Sequence, residues 1–121
     1  MTEISEKELL RLIEETYLEL SAKHGWHPIN CYYYSTRYNT CYGAPIFLGN
    51  RKVWHKEGLF ERLNEKLVEL GYKKVAWEMF RDLMIKIERQ GVIWVNWFIA
   101  PNGKAEPHDI TIMKPTFLHD W

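Results

Sequence analysis

Apolar side chains at the start of the chain recur every three to four residues, the spacing of an amphipathic helix. This pattern predicts a first helix over residues 5–24. Ser5 and Glu8 have the spacing of an N-terminal capping box, and Gly25 suits the left-handed position that follows a helix. The predicted buried positions of this helix are Leu9, Leu10, Ile13, Tyr17 and Leu20.

Two segments in the second half of the chain carry the same helical period. They span residues 59–70 and 73–90, and Gly71 and Gly91 follow them directly. The predicted buried positions are Leu59, Phe60, Leu63, Leu67 and Leu70 in the second helix, and Ala76, Phe80, Leu83, Met84 and Ile87 in the third.

The region between the first two helices predicts strands. Residues 29–38 are dense in Tyr, a residue that favours strands, and residues 40–48 form a second extended segment. Pro45 in that segment indicates an edge strand or a bulge. Gly49-Asn50 has the composition of a two-residue hairpin turn, after which residues 51–54 can return as a short arm.

Two strands are predicted near the end of the chain. Residues 92–100 are apolar on both faces apart from Asn96, which favours a place in the middle of the sheet. Residues 105–113 return after a Pro-Asn-Gly turn and carry Ile110 and Ile112 on one face.

The order of these elements is α-β-β-(β)-α-α-β-β. Short connections favour antiparallel pairing of consecutive strands. The sequence therefore predicts an α+β fold, an antiparallel sheet of four or five strands with helices packed on it, in one domain over residues 1–121.

Composition supports an ordinary globular domain. The 121 residues are 46% hydrophobic and 26% charged, which is enough to bury one core. The formal net charge is zero, so no long-range field attracts nucleic acid or a membrane. Six acids fall within residues 1–20 and five bases within residues 21–60. Internal pairing of these charges is a more common outcome than two surfaces for two partners.

Cysteine usage and hydropathy predict a cytoplasmic protein. Cys31 and Cys41 are too few for a disulfide framework, although a bridge between them stays open if the protein is exported. No apolar run near the N-terminus is typical of a signal peptide, and none reaches the roughly 18 residues of a membrane span.

A group of histidines and one cysteine has the residue types of a zinc site. His24, His27 and Cys31 lie within eight residues, and zinc binds such ligands when they converge tetrahedrally. Paired Cys-x2-Cys spacing is missing. A helix C-terminal charge explains His24, and a small buried side chain explains Cys31. We therefore predict no cofactor and keep this metal site as the alternative.

No catalytic motif stands out. Cys31 or Cys41 could meet His27, His55 or His108 in the fold, as nucleophilic catalysis requires. On a regular strand, however, His108 and its neighbour Asp109 would point to opposite faces, with His108 on the face of the buried isoleucines. A small enzyme, or a domain that binds a metal or small molecule between sheet and helices, remains the alternative function.

The Tyr-rich segment allows three interpretations. Tyr32, Tyr34 and their neighbours can pack under helices, anchor a protein interface together with Arg37, or stack the bases of single-stranded nucleic acid. Neutral overall charge places nucleic acid last, because neutralisation of phosphates supplies most of that affinity.

One resemblance concerns the whole layout. The segment from Trp77 to Gly91, the strand Ile93-Trp-Val-Asn-Trp-Phe-Ile99 and the turn Pro101-Asn-Gly-Lys104 resemble small immunity proteins of the α-β-β-α-β-β type, which neutralise bacterial polymorphic toxins. The first helix, followed by Trp26 and then Cys31-Tyr-Tyr-Tyr34, fits as well. Such proteins are usually acidic, and this chain is neutral.

The resemblance implies a binding protein that blocks a toxin or, with the same logic, a phage-encoded inhibitor of host defence. No membrane partner is expected. Acids on the first helix would steer a basic target, and exposed aromatic side chains would supply the binding energy. The predicted partner-binding residues are Glu14, Glu15, Glu19, Tyr32, Tyr34, Arg37, Trp54 and Trp121.

Overall fold

The structure is a computed structural model that describes residues 2–23, 33–35, 40–42, 45–49, 58–91, 93–99 and 101–112. In chain order the described elements are α1 (Glu6–Lys23), β1 (Tyr33–Ser35), β2 (Thr40–Tyr42), β3 (Ile46–Phe47), α2 (Leu59–Glu69), α3 (Trp77–Glu88), β4 (Ile93–Ile99) and β5 (Ala105–Ile112). The α+β class and the antiparallel pairing are confirmed.

The strands form two sheets. β1 and β2 make an antiparallel hairpin, and β3, β5 and β4 make a three-stranded antiparallel sheet in that order. The predicted single sheet of four or five strands is therefore not confirmed. The predicted arm over residues 51–54 lies outside the described residues.

The predicted central place of the strand over residues 92–100 is not found among the described strands. β5 is the central strand, and β4 pairs only with β5 among the described strands. Ile93 and Val95 are buried, but every residue from Asn96 to Ile99 is exposed. Apolar residues on both faces predict a strand that is covered on both faces, whereas the second half of β4 is exposed to solvent.

The helix boundaries follow the sequence signals closely. The Glu8 N–H donates to the Ser5 hydroxyl over 3.3 Å at the start of α1. Gly71 and Gly91 have φ angles of 85° and 79°, left-handed values that favour glycine, and they follow α2 and α3. Two details differ: Leu70 is exposed, and residues 73–76 are not helical, so that α3 begins at Trp77.

The three helices and one face of the larger sheet enclose a single core. The buried stripe of α2 consists of Leu59, Leu63 and Leu67, and that of α3 includes Phe80 and Met84. The same core contains every second residue of the paired strand segments, namely Ile46, Ile93, Val95, Ile110 and Ile112. The opposite face of the sheet is thereby left for other contacts. None of the described helices is both long enough and apolar enough to cross a membrane.

Helix α1 is buried on more than one side. It contacts α2 and β3 and also the hairpin strand β2. Thr16 and Ser21, both fully buried, donate their hydroxyls to the carbonyls of Leu12 and Tyr17 one turn earlier. Because α1 is covered on more than one side, it buries polar residues that an amphipathic pattern would place in contact with solvent.

The connection between α2 and α3 is held by one buried amide. Asn64 on α2 accepts a hydrogen bond from the Val75 N–H over 2.8 Å and donates to the Val75 carbonyl over 3.2 Å. Both backbone groups of Val75 are thus bonded by a side chain, as they would be by a neighbouring strand. This pairing explains why the segment before Trp77 is not helical although its sequence continues the helical period.

We expect Asn64→Leu to lower the free energy of unfolding by about 1–3 kcal/mol, because the Val75 N–H and carbonyl would be buried without partners. Urea denaturation monitored by circular dichroism measures the change. Val68→Ala, at an exposed position of the same helix, is the control and should change stability by less than about 0.5 kcal/mol. Equal stability of the two variants would contradict the role of Asn64.

Candidate functional site

The face of the larger sheet that points away from the helices carries an aromatic surface. On β4 it presents Trp94, which is 61% exposed, and Phe98, which is 39% exposed, with Asn96 between them. β3 contributes Phe47, and β5 contributes His108 and Asp109. We call these six residues the outer face. Exposed aromatic side chains of this size on a small domain commonly mark an interaction site.

A β-bulge on β5 gives the outer face its shape. Asn96 pairs with Asp109 and Trp97 pairs with Pro107, so His108 is an extra residue between them. Pro107 has no N–H to donate and interrupts the ladder of a central strand, which is the setting in which bulges occur. The His108 carbonyl is satisfied on the other side, where it accepts from the Leu48 N–H over 2.9 Å.

The bulge overturns the predicted orientation of two side chains. On a regular strand, His108 would share the buried face of Ile110, and Asp109 would point away from it. In the structure His108 Nδ1 lies 2.8 Å from an Asp109 carboxylate oxygen, and the imidazole is 49% exposed. The extra residue shifts the alternation, so that Pro107 and Ile110 are both buried although they are three positions apart.

Four polar side chains of the outer face form one chain of hydrogen bonds. The Trp94 indole N–H donates to the Asn96 amide oxygen over 3.0 Å. The Asn96 amide nitrogen donates to Asp109 Oδ1 over 2.8 Å, and Asp109 Oδ2 faces His108 Nδ1. Each group fixes the orientation of the next one. The carboxylate is only 16% exposed, so it is shielded from the solvent that would otherwise compete for it.

The imidazole is held by aromatic rings as well as by Asp109. The His108 ring meets Phe47 at a centroid distance of 5.4 Å and Phe98 at 5.9 Å, both edge to face. An ionised carboxylate only accepts hydrogen bonds, so Nδ1 carries the proton that is shared with Asp109. In the neutral imidazole Nε2 is then a hydrogen-bond acceptor, and it has no partner within the described part of the chain.

The acids that were expected to contact a partner lie in three different settings. Glu14, a predicted partner-binding residue, is fully buried and has no exposed surface for a partner. Glu19 contacts Lys66 Nζ at 2.7 Å and Arg62 at 3.2 Å, so its charge is used within the fold. Glu15 is half-buried beside a small groove between α1 and the end of α2.

The pKa of Glu19 reflects these ion pairs. Burial by itself raises the pKa, but hydrogen bonds and attraction from Lys66 and Arg62 outweigh it, and the pKa lies below its ordinary value of 4.5. The acidic first helix therefore pairs in part with bases of the same chain, but Lys66 and Arg62 belong to α2 and not to the basic segment of residues 21–60.

Several predicted residues lie outside the described parts of the chain. They are Tyr32, Arg37, Trp54 and Trp121, together with the proposed zinc ligands His24, His27 and Cys31. Tyr34 lies in β1 and Cys41 in β2, where only the backbone is described. Elsewhere, within the described residues, no group of three or more His, Cys, Asp or Glu could hold a metal ion.

Several grooves are lined by described residues. One of them runs along α2 and its connection to α3, lined by Phe60, Glu61, Val68 and Lys74 among others. Burial raises the pKa of Glu61 there, its own N–H lowers it, and repulsion from Glu65 raises it, with a net increase. The predicted pocket between sheet and helices is not among these grooves, since no strand residue lines them.

Sequence reasoning missed most of the outer face. Trp94 and Phe98 were assigned to a covered strand, and the contact between His108 and Asp109 was excluded by regular alternation. One signal could have revealed it: Pro107 in the middle of an otherwise clear strand indicates a bulge next to it.

Comparison with known proteins adds no relative. No protein-family model matches the chain, and no curated protein or solved structure is significantly similar to it.

We expect the neutral His108 imidazole to carry its proton on Nδ1, because Asp109 accepts from that atom. Nitrogen-15 NMR of the imidazole distinguishes the two tautomers. Asp109→Ala should return the ring to the mixed tautomers of an unconstrained histidine, whereas Thr111→Ala, next but one on the same strand, should leave it unchanged. A proton on Nε2 in the unmodified protein would contradict the network.

We expect Glu19→Gln to lower stability by up to about 1 kcal/mol at neutral pH, since its ion pairs are partly exposed. A lowered pKa in the folded state contributes stability above the ordinary pKa of 4.5, and this contribution is lost as pH falls through the lowered value. Denaturation at several pH values should show a smaller loss of stability on acidification for this variant. Glu15→Gln, in no ion pair of the described residues, is the control and should behave like the unmodified protein.

Proposed function

We propose that this protein binds a protein partner through the outer face of its larger sheet and thereby neutralises it, and that the partner is a bacterial toxin. The observation that supports this most is the exposure of Trp94 and Phe98 beside a polar network that is already formed. The proposal is one of binding, and it assigns no reaction to the protein.

The two aromatic side chains are suited to be the main source of binding energy. Trp is among the residues most enriched at positions where truncation costs a complex the most. The Trp94 indole and the Phe98 ring lie on one strand with Asn96 between them, and both expose apolar surface to solvent. A partner that covers them removes that surface from water.

The hydrogen-bond network supplies specificity at little entropic cost. Trp94, Asn96, Asp109 and His108 are oriented by one another before any partner arrives. Binding therefore does not have to immobilise them, and pre-organisation of this kind strengthens association.

The network also indicates the chemistry of the partner surface. Nε2 of neutral His108 can accept one more hydrogen bond, and the Asp109 carboxylate behind it adds negative charge. A partner surface of apolar side chains with a hydrogen-bond donor among them, best a cationic Arg or Lys, would complement the outer face.

The choice of a toxin rests on the resemblance of the chain to small immunity proteins. The segments Trp77 to Gly91 and Ile93–Ile99 that carry the resemblance form α3 and β4, and β4 holds the two exposed aromatics. Proteins that neutralise a toxin must bind it with high specificity, for which an oriented, mixed aromatic and polar surface is suited.

We expect Trp94→Ala and Phe98→Ala each to weaken binding by about 2 kcal/mol, roughly 30-fold in Kd. The partner is sought among the proteins encoded beside this one, by co-expression, protection of cells from toxicity and calorimetry with the purified pair. Leu70→Ala is the control, because Leu70 is similarly exposed at 62% but lies at the end of α2. Circular dichroism verifies that all three variants are folded.

Three results would refute the proposal. The first is protection and binding that persist in the Trp94→Ala, Phe98→Ala double variant. The second is an equal loss of binding in the Leu70→Ala control. The third is the lack of protection against any toxin encoded beside the gene.

An enzyme is the second candidate, favoured by the contact between His108 and Asp109. A carboxylate that orients an imidazole through Nδ1 is the arrangement of many general bases. Hydrolysis of model esters that is abolished by His108→Gln and retained in Trp94→Ala would favour this candidate over binding. Single-stranded nucleic acid remains a prediction that depends on the Tyr-rich segment, and a host-defence target remains a prediction that follows the same binding logic as a toxin.

A further inference from the structure

The outer edge of β4 is a strand edge with which no described residue pairs. β4 pairs with β5 on one side and with no described strand on the other. Its seven residues, Ile-Trp-Val-Asn-Trp-Phe-Ile, include no charge and no proline, and four of them in succession are exposed. Free edges of this kind pair with other strands, and proteins that stay monomeric usually place a lysine, a proline or a bulged residue there.

The sequence of β4 is compatible with a second copy of itself. In an antiparallel pair centred on Asn96, Trp94 lies opposite Phe98 of the second copy, and Val95 lies opposite Trp97. Ile93 lies opposite Ile99, and the two Asn96 residues meet on the twofold axis. Every cross-strand pair then joins two apolar side chains or two amides, and aromatic pairs of this sort stabilise sheets.

We propose that two copies of this chain pair along β4 in that register and form one continuous six-stranded antiparallel sheet. The interface is isologous, since the same strand is used by both copies. This inference concerns the edge of the sheet and goes beyond the proposed function, which concerns its face. Either proposal can fail without the other.

Charge favours a second copy as the occupant. A partner strand that carries charged side chains would be matched by opposite charges along this edge, and β4 has no charged residue. The chain as a whole has a formal net charge of zero, so two copies do not repel each other through a net charge.

The geometry of such a pair enlarges the outer face. Adjacent antiparallel strands in one sheet are related by a twofold axis perpendicular to the sheet, so the outer faces of both copies lie on the same side. Trp94 of one copy then neighbours Phe98 of the other, and the two aromatic surfaces become one.

We expect the unmodified protein to have a mass of about twice 14.6 kDa in sedimentation equilibrium, with dissociation on dilution. Ile99→Lys introduces a charge at a strand position that is 70% exposed and should raise the dissociation constant of the dimer at least roughly tenfold. Leu70→Lys introduces the same charge at an exposed leucine away from β4 and should leave the dimer unchanged. A monomer at every concentration, or equal dissociation of the two variants, would overturn the proposal and leave the edge to a strand of another protein.

Cross-linking tests the register, in a Cys31→Ser, Cys41→Ser background that is first shown to fold. In the proposed pair the two Asn96 Cα atoms lie roughly 4.5–5.5 Å apart, within reach of a disulfide. Asn96→Cys should therefore form a covalent dimer on mild oxidation. Thr111→Cys lies on the central strand, at least roughly 14 Å from its equivalent across three strand spacings, and should not cross-link. A dimer in which Asn96→Cys stays unlinked, or in which both variants link equally, refutes the register.

Discussion

One-sided coverage of the larger sheet is the constraint from which the other features follow. α1, α2 and α3 contribute the buried stripes that enclose Ile46, Val95 and Ile110, and the core is complete with one face of the sheet. A sheet covered on one face usually places polar residues on the other. Here that second face carries Trp94 and Phe98, a departure from the usual alternation that leaves aromatic surface exposed to solvent.

The missing N–H of Pro107 determines what these aromatics surround. A proline in a central strand removes one hydrogen bond of the ladder, and the bulge at His108 absorbs the loss. The same shift brings the His108 imidazole and the Asp109 carboxylate to one side of the sheet, next to Asn96. A defect in backbone pairing thus produces an ordered group of polar side chains, as bulges near functional sites commonly do.

Charge is arranged differently from what the composition of the first helix indicated. α1 is contacted by α2 and by β2, so Glu14 is buried and Glu19 pairs with Lys66 and Arg62. The ion pairs of Glu19 hold α1 against α2. The outer face on β3, β4 and β5 differs from α1, because it is uncharged aromatic surface with one shielded carboxylate. Recognition by such a surface depends on shape and hydrogen bonds more than on long-range attraction.

The sequence by itself determined the helices, because their signals are local. Apolar period, the Ser5 cap and the glycines after α2 and α3 act within a few residues, and the same holds for the turn before β5. Tertiary structure alone decided the order of the described strands, where α1 is covered and why the segment before Trp77 is held by Asn64 and not helical. These outcomes depend on contacts between residues far apart in the chain, and the alternation of side chains along the sequence cannot reveal such contacts. The outer face is the clearest case: it depends on helices that cover only the other face of the sheet and on the extra residue in β5, and only the paired strands show both.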